Sequence, residues 1–268
     1  MKSETLKIGV FDSGLGGLTV VKALSAVIQN AQIFYVADTK YAPYGEKSAQ
    51  EILQYSLDIT QYLLDMYQID ILIVACNTAT SAAIQTLRER YDSLMIIGME
   101  PGIKPAIKHT RTGNIGILAT PATLRGDKYQ SLANTLAKER NVTFFEQPCP
   151  GLVEQIEKGE ISSEKTKRLL RQWILPMKQK HIDTIVLGCT HYPLVGETIA
   201  EIMLCDVMLI DTAEAIAKHL LDLALKRGHH NHGSCDIYIE STGKIHTEFV
   251  TSLLGKSINI RSIKIANR

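Results

Sequence analysis

The 268-residue sequence predicts an α/β fold of two pseudo-twofold related domains, each with a mainly parallel sheet flanked by helices, and with the active site in the cleft between them. Three observations carry that expectation. Short apolar, β-branched runs alternate with longer segments of helical period, the pattern of βαβ units and a parallel sheet. A block of sequence recurs with its neighbouring strands in the same order, the sign of a duplicated unit. With 45% apolar residues and a formal net charge of +1, the chain can bury an ordinary core and is neither disordered nor a polyelectrolyte.

In chain order, strands are expected at LKIGVF (6 to 11), IFYVA (33 to 37), ILIVA (71 to 75), MIIGM (95 to 99), NIGILA (114 to 119), TFFE (143 to 146), TIVLG (184 to 188) and VMLI (207 to 210). Helices fill the gaps. Ile52, Tyr55, Ile59, Tyr62, Leu63 and Met66 recur at three- and four-residue steps, as do Leu169, Leu170, Trp173, Ile174 and Met177, and each set makes one apolar stripe expected in the core. The duplication is clearest where IDILIVAC (69 to 76) matches IDTIVLGC (182 to 189) at an offset of 113 residues. KIGVFDS (7 to 13) aligns with NIGILAT (114 to 120), IFYVA falls near TFFE, and IIGME (96 to 100) falls near MLIDT (208 to 212). The second copy ends near residue 211. A helix (213 to 227), a strand DIYIE (236 to 240), an amphipathic helix (246 to 254) and a final strand form an appendix. The expected domains are 1–97 plus 208–268, a discontinuous first domain, and 98–207.

Several function classes fall away. No run approaches the ~18 consecutive apolar residues of a membrane span. The opening MKSETLKIGVFD passes directly into a strand pattern, so no secretory signal is expected and the chain is placed in the cytoplasm. With 29 Lys+Arg against 28 Asp+Glu and no basic cluster, nucleic acid is not an expected partner. The five cysteines (76, 149, 189, 205 and 235) are an odd number without a CxxC pair, which excludes a disulfide framework or a Cys-pair metal site.

Two of those thiols stand out because they are equivalent in the duplication. Cys76 and Cys189 both lie just beyond the carboxyl ends of strands, where open α/β sheets bind ligands. Two equivalent thiols facing one cleft suit chemistry on both faces of a stereocentre. Cys149, Cys205 and Cys235 have no such relation and are expected to be packing residues. The first strand ends in a glycine-rich turn, Asp12-Ser13-Gly14-Leu15-Gly16-Gly17, whose backbone N–H groups suit an anion. It is not a dinucleotide loop, since GLGGLT has Thr19 where the third glycine should be, and GKS (255 to 257) lacks the first glycine of a phosphate loop. A carboxylate suits the same donors.

VFDSGLGGL (10 to 18), YAPYGEKS (41 to 48), VACNTA (74 to 79) and LGCTHYPL (187 to 194) together resemble the motif set of the bacterial glutamate racemases, and the match covers nearly the whole chain. His191, after the second Cys-Thr, resembles the glutamate enzymes, where aspartate racemases usually carry Glu. The resemblance implies a cofactor-independent isomerase interconverting L- and D-glutamate, the latter for peptidoglycan. The alternatives are another two-cysteine racemase, of aspartate or hydantoin type, and a two-lobed anion-binding protein without chemistry.

Inverting an α-carbon needs one group to remove its proton and another to deliver a proton on the opposite face. The resemblance assigns Cys76 to D-glutamate and Cys189 to L-glutamate, with Asp12 assisting the first and His191 the second. It places Asp12, Ser13, Tyr44, Gly45, Asn77, Thr78, Thr190 and His191 around the substrate. Thr120 and Thr123, in the second copy's equivalent of the Asp12 loop, could donate to a carboxylate or cap a helix. In CPGLVEQIEKGE (149 to 160) a further glutamate assisting Cys189 is either Glu157 or Glu154, and the sequence leaves that choice open. The resemblance also implies a homodimer and, from the spelling of this segment and of RLLRQWILPMK, activation by a UDP-muramoyl-alanine peptidoglycan precursor. No cofactor or metal is expected; His229, His230 and His232 in GHHNHG are expected to form a solvated loop.

Overall fold

Leu6–Asp12 alternates its side chains between two apolar layers, Ile8 and Val10 on one side and Phe11 on the other, so it forms a strand buried on both faces, β1. In chain order there follow α1 (Leu18–Val27), β2 (Ala31–Ala37), α2 (Ala49–Tyr67), β3 (Ile71–Val74), α3 (Asn77–Arg90) and β4 (Met95–Gly98). Next come α4 (Ile103–His109), β5 (Asn114–Ala119), α5 (Pro121–Arg125), α6 (Asp127–Arg140), β6 (Thr143–Pro148), α7 (Leu152–Glu157), α8 (Glu164–Gln179), β7 (Thr184–Gly188), α9 (Gly196–Met203) and β8 (Met208–Ile210). The chain closes with α10 (Ala213–Lys226), β9 (Cys235–Ser241), α11 (Thr247–Leu254) and β10 (Ile260–Ser262). This computed structural model describes residues 5–204 and 207–265.

Residues up to Met99 and from Ala213 onward form one unit, and Glu100–Thr212 forms another. The first holds a six-stranded sheet in the order β10-β9-β2-β1-β3-β4, the second a four-stranded sheet in the order β6-β5-β7-β8. Every pairing is parallel. Parallel neighbours need a crossover, and helices supply it. The order β2-β1-β3-β4 is repeated as β6-β5-β7-β8, so the duplication seen in the residues is a duplication of topology. The appendix adds β9 beside β2 and β10 beside β9. One boundary differs from expectation. The strand at 208–210, assigned from sequence to the first domain, pairs with β7 (Thr184↔Met208) and sends Ile210 into the second unit's core. It is the counterpart of β4 and completes the second four-stranded unit.

The helices keep their stripes, with Tyr55, Tyr62 and Leu169 half-buried at the margins and Met66 outside the core. Ile52, Ile59 and Leu63 of α2, and Leu170, Trp173, Ile174 and Met177 of α8, are buried, each such side chain contributing about 1.5–3 kcal/mol relative to exposure. Met66, in the last turn of α2, is instead 52% exposed. That helix starts on a capping box in which the Ser48 hydroxyl accepts the Glu51 N–H and the Glu51 carboxylate accepts the Ser48 N–H. Among the described residues, no helix is long and apolar enough to cross a membrane.

Candidate active site

Parallel strands end on one edge of their sheet, and in the first unit three such ends carry predicted site residues. Past β1, one oxygen of the buried Asp12 carboxylate accepts the N–H groups of Gly14 at 3.0 Å and Gly17 at 3.1 Å, closing the turn that presents Ser13. Glycine is needed at the closure, because a Cβ on Gly17 would lie 2.6 Å from the Cβ of Asp12. The Tyr35 hydroxyl, from β2, donates to the Gly14 carbonyl. Asp12, expected to assist Cys76, therefore also builds the loop on which Ser13 sits.

Cys76 follows β3 and is the N-cap of α3, its backbone extended and its sulfur accepting the Ala79 N–H at 3.4 Å. Its thiol donates to the Ser13 hydroxyl at 3.8 Å. A cysteine at a helix N-terminus sits where backbone dipoles favour a negative sulfur. Asn77 and Thr78 form the first turn of that helix; Thr78 is buried, and the Asn77 side-chain oxygen is buried without a hydrogen-bond partner. Past β2, Tyr44 and Gly45 open a 3₁₀ turn (Tyr44–Glu46), and the Tyr44 hydroxyl donates to Asp38 at 2.5 Å. Tyr44 and Cys76 belong to the same buried cluster.

The second unit repeats the placement with different chemistry. Thr120, past β5, caps α5 by accepting the Thr123 N–H at 3.2 Å, and the two hydroxyls are 2.9 Å apart. Cys189 follows β7 and precedes a 3₁₀ turn (Tyr192–Val195) rather than an α-helix. Its sulfur lies 3.7 Å from Nδ1 of His191, with the Thr190 hydroxyl 3.4 Å from the same nitrogen. Nε2 of His191 is 2.6 Å from Glu157, at the end of α7. Of the two glutamates left open by the sequence, that contact puts Glu157 against His191. Burial alone would lower the imidazole's affinity for protons. Hydrogen bonds and charge from Cys189 and Glu157 outweigh it and hold His191 well above its ordinary range.

Cys149, past β6, is buried in the same cluster as Cys189 and Tyr192, and burial, then the neighbouring Cys189 charge, pushes its thiol far up. It packs in the core beside Cys189. Sequence reasoning did not place it there, since it belongs to no motif; its position one strand over from β5 was the available signal. Cys235 is half-buried at the start of β9, and burial raises its thiol to about 11. Cys205 lies outside the described residues. The histidine tract ties the appendix to the end of α1. His229 donates to the Gln29 carbonyl at 2.8 Å, and Asn231 bonds both the Gln29 N–H and the Val27 carbonyl. Among the described residues, no three His, Cys, Asp or Glu side chains gather as a metal would require.

Comparison with known proteins places this geometry. The family model for Asp/Glu/hydantoin racemases matches residues 18–220. The chain is 62% identical over 249 residues to a glutamate racemase of Sulfurovum sp., covering 93% of this chain and 94% of that one. It is 56% identical over 261 residues to a glutamate racemase of Aliarcobacter butzleri, covering 97% and 100%. Among solved structures, the glutamate racemase isoform RacE1 of Bacillus anthracis superposes with a TM-score of 0.88 at 29% identity, covering 99% of this chain and 100% of that one. The Escherichia coli glutamate racemase in complex with L-glutamate and the activator UDP-MurNAc-Ala superposes with a TM-score of 0.81 at 27% identity, covering 98% and 99%.

Proposed function

The chain belongs to the Asp/Glu/hydantoin racemase family, and from that premise we propose that Cys76 and Cys189 are the two bases with which it inverts the α-carbon of glutamate. It is an isomerase, an amino-acid racemase that interconverts L- and D-glutamate. One observation carries the mechanism: at the same position of two copies of one sheet stands a buried cysteine with polar support for its sulfur. A core thiol needs no such support, and two at equivalent positions answer to chemistry that runs in both directions.

The chemistry requires the thiols to address one α-carbon from opposite faces. With D-glutamate, the Cys76 thiolate takes the α-proton and the Cys189 thiol delivers its own; with L-glutamate the roles exchange. Each turnover leaves the opposite thiol charged. The α-proton of an amino acid is weakly acidic, so preorganised donors must stabilise the carbanion that forms. The Asn77 side-chain oxygen, buried without a partner, would accept from the substrate ammonium. Ser13, Thr78, Thr190 and the Tyr44–Gly45 backbone would hold the carboxylates, and Thr123 and Thr120, the N-cap of α5, can contribute their hydroxyls. Asp12 shapes the Ser13 turn beside Cys76. His191, protonated and backed by Glu157, stabilises charge on the Cys189 sulfur and replenishes its proton.

The same reading makes this a cytoplasmic homodimer that supplies D-glutamate for peptidoglycan. The Escherichia coli relative holds UDP-MurNAc-Ala as an activator; the proposal for this chain is that the same precursor raises its rate, and an unchanged rate at saturating precursor removes that part. The test of the mechanism is incubation with each glutamate enantiomer in deuterated water, following optical rotation and α-deuterium, with aspartate as control. Both enantiomers should racemise with deuterium in the product, and Cys76→Ala and Cys189→Ala should each lower inversion by at least about 10³-fold. A single variant that inverts at the wild-type rate overturns the two-thiol mechanism.

A further inference from the structure

Thr242 belongs to no motif and sits in the appendix, yet it touches the machinery of the first unit. Its hydroxyl donates to Asp38 at 2.7 Å, and the other oxygen of that carboxylate accepts the Tyr44 hydroxyl at 2.5 Å. The Thr242 oxygen also accepts the Lys40 N–H at 3.2 Å. Asp38 is fully buried and its own N–H donates to the Asp12 carbonyl, so the carboxylate stands at the junction of the β1, β2 and β9 ends. The two loops are joined at further points. The Thr242 N–H donates to Ala37, the Gly243 N–H donates to the Thr39 hydroxyl, and the Thr39 and Ser241 hydroxyls lie 2.7 Å apart. The fit is close: a Cβ on Gly243 would lie 2.9 Å from the Lys40 nitrogen and 3.1 Å from its Cα.

We propose that Thr242 is a positioning residue for the racemisation, holding through Asp38 the Tyr44–Gly45 turn that binds the substrate. The proposal rests on the reading of Tyr44 and Gly45 as substrate-binding residues. The Thr242 hydroxyl bonds one oxygen of the Asp38 carboxylate and the Tyr44 phenol bonds the other, so Thr242 helps to fix the carboxylate that orients the phenol. The same hydroxyl anchors Lys40, four residues before Tyr44, so its removal loosens the segment that leads into the turn as well as the Tyr44 phenol. A turn displaced by a fraction of an ångström binds substrate less well even when the thiols are intact.

The experiment compares Thr242→Val, which keeps the shape and deletes the hydroxyl, with Thr242→Ser, which keeps the hydroxyl. Thr242→Val should raise KM for both enantiomers about tenfold with a smaller loss of kcat, and Thr242→Ser should restore the wild-type KM. Weakened folding lowers the active fraction and the maximal rate but leaves KM unchanged, so the split separates positioning from mere stability. If the valine variant does not fold, Thr242→Ala removes the hydroxyl without new branching and carries the same expectation. A wild-type KM in the hydroxyl-free variant, or a serine variant as impaired as valine, overturns the proposal. Cys76→Ala run alongside distinguishes the two failures. If it still racemises, the half-site reading falls and takes the proposal with it; if it is inactive while Thr242→Val keeps the wild-type KM, only the positioning role falls.

Discussion

Cys76 and Cys189 end equivalent strands of two sheets with the same strand order, yet their sulfurs are supported by different physics. Cys76 caps a 14-residue helix, and its neighbours are a backbone N–H and the Ser13 hydroxyl. Neither group titrates in the range where the enzyme works. Cys189 precedes only a 3₁₀ turn, and in place of a helix N-terminus it has a buried imidazole tied to a carboxylate. The duplicated backbone therefore decides where the two thiols stand, and the residues after each cysteine decide how charge on the sulfur is stabilised. Asn-Thr opens a helix; Thr-His brings a titratable partner. The contacts of the Cys76 sulfur with Ser13 and Ala79 are fixed dipoles, and that of the Cys189 sulfur with His191 involves a proton that can be lost.

The largest effect that tests this contrast is expected from His191→Gln, which keeps a polar side chain and removes the charge. Free L- and D-glutamate have equal free energies in water, so kcat/KM must fall equally in both directions, by about 10²-fold. The asymmetry appears in isotope effects instead. With transfer at Cys189 slowed, α-deuterated L-glutamate should show a larger primary isotope effect than in the wild type, and α-deuterated D-glutamate a smaller one. Isotope effects that stay as in the wild type would remove His191 from the Cys189 side.

Glu157→Gln should act on the same side more gently. His191 holds its proton more tightly in the folded protein, because the contributions of Cys189 and Glu157 exceed the opposing cost of burial. A raised folded value stabilises the fold fully below the unfolded value of about 6.5 and loses that contribution as pH rises through the folded value. Without Glu157, the alkaline limb of kcat should move to lower pH. The melting temperature should fall by the equivalent of about 2 kcal/mol at neutral pH, with the gap to wild type closing at alkaline pH. Parallel pH profiles and a constant gap would show that Glu157 does not support the imidazolium.

Much of this organisation was legible in the residues because it is local. Buried parallel strands are runs of Ile, Val and Leu, and NIGILA and TIVLG fall on the observed limits of β5 and β7. The duplicated IDILIVAC and IDTIVLGC blocks located both thiols. What escaped depends on contacts between distant segments. The contact of Glu157 with His191 depends on how the short helix α7 meets a residue 34 positions away. The Thr242–Asp38 contact spans 204 residues and joins the appendix to the first copy, so no spacing within either copy announces it. The repeat already matched the strand at 208–210 to the last strand of the first copy, and its pairing with β7 shows that this match, rather than the domain limit drawn at 207, marks the end of the second unit.

The smallest effect should come from the Cys76 half-site, at its serine hydroxyl. Ser13→Ala removes the hydroxyl 3.8 Å from the Cys76 sulfur and leaves the Ala79 N–H and the helix N-terminus in place. One neutral hydrogen bond to sulfur is worth less than the charged pair at Cys189, so kcat/KM should fall only about fivefold. The pH profile should keep its wild-type shape, since the lost group does not titrate in that range. The isotope effects should shift the opposite way from those of His191→Gln, rising for α-deuterated D-glutamate. A loss as large as that of His191→Gln, or a moved alkaline limb, would mean that the serine hydroxyl rather than the helix terminus carries the Cys76 thiolate, and that fixed dipoles alone do not support a thiol in this fold.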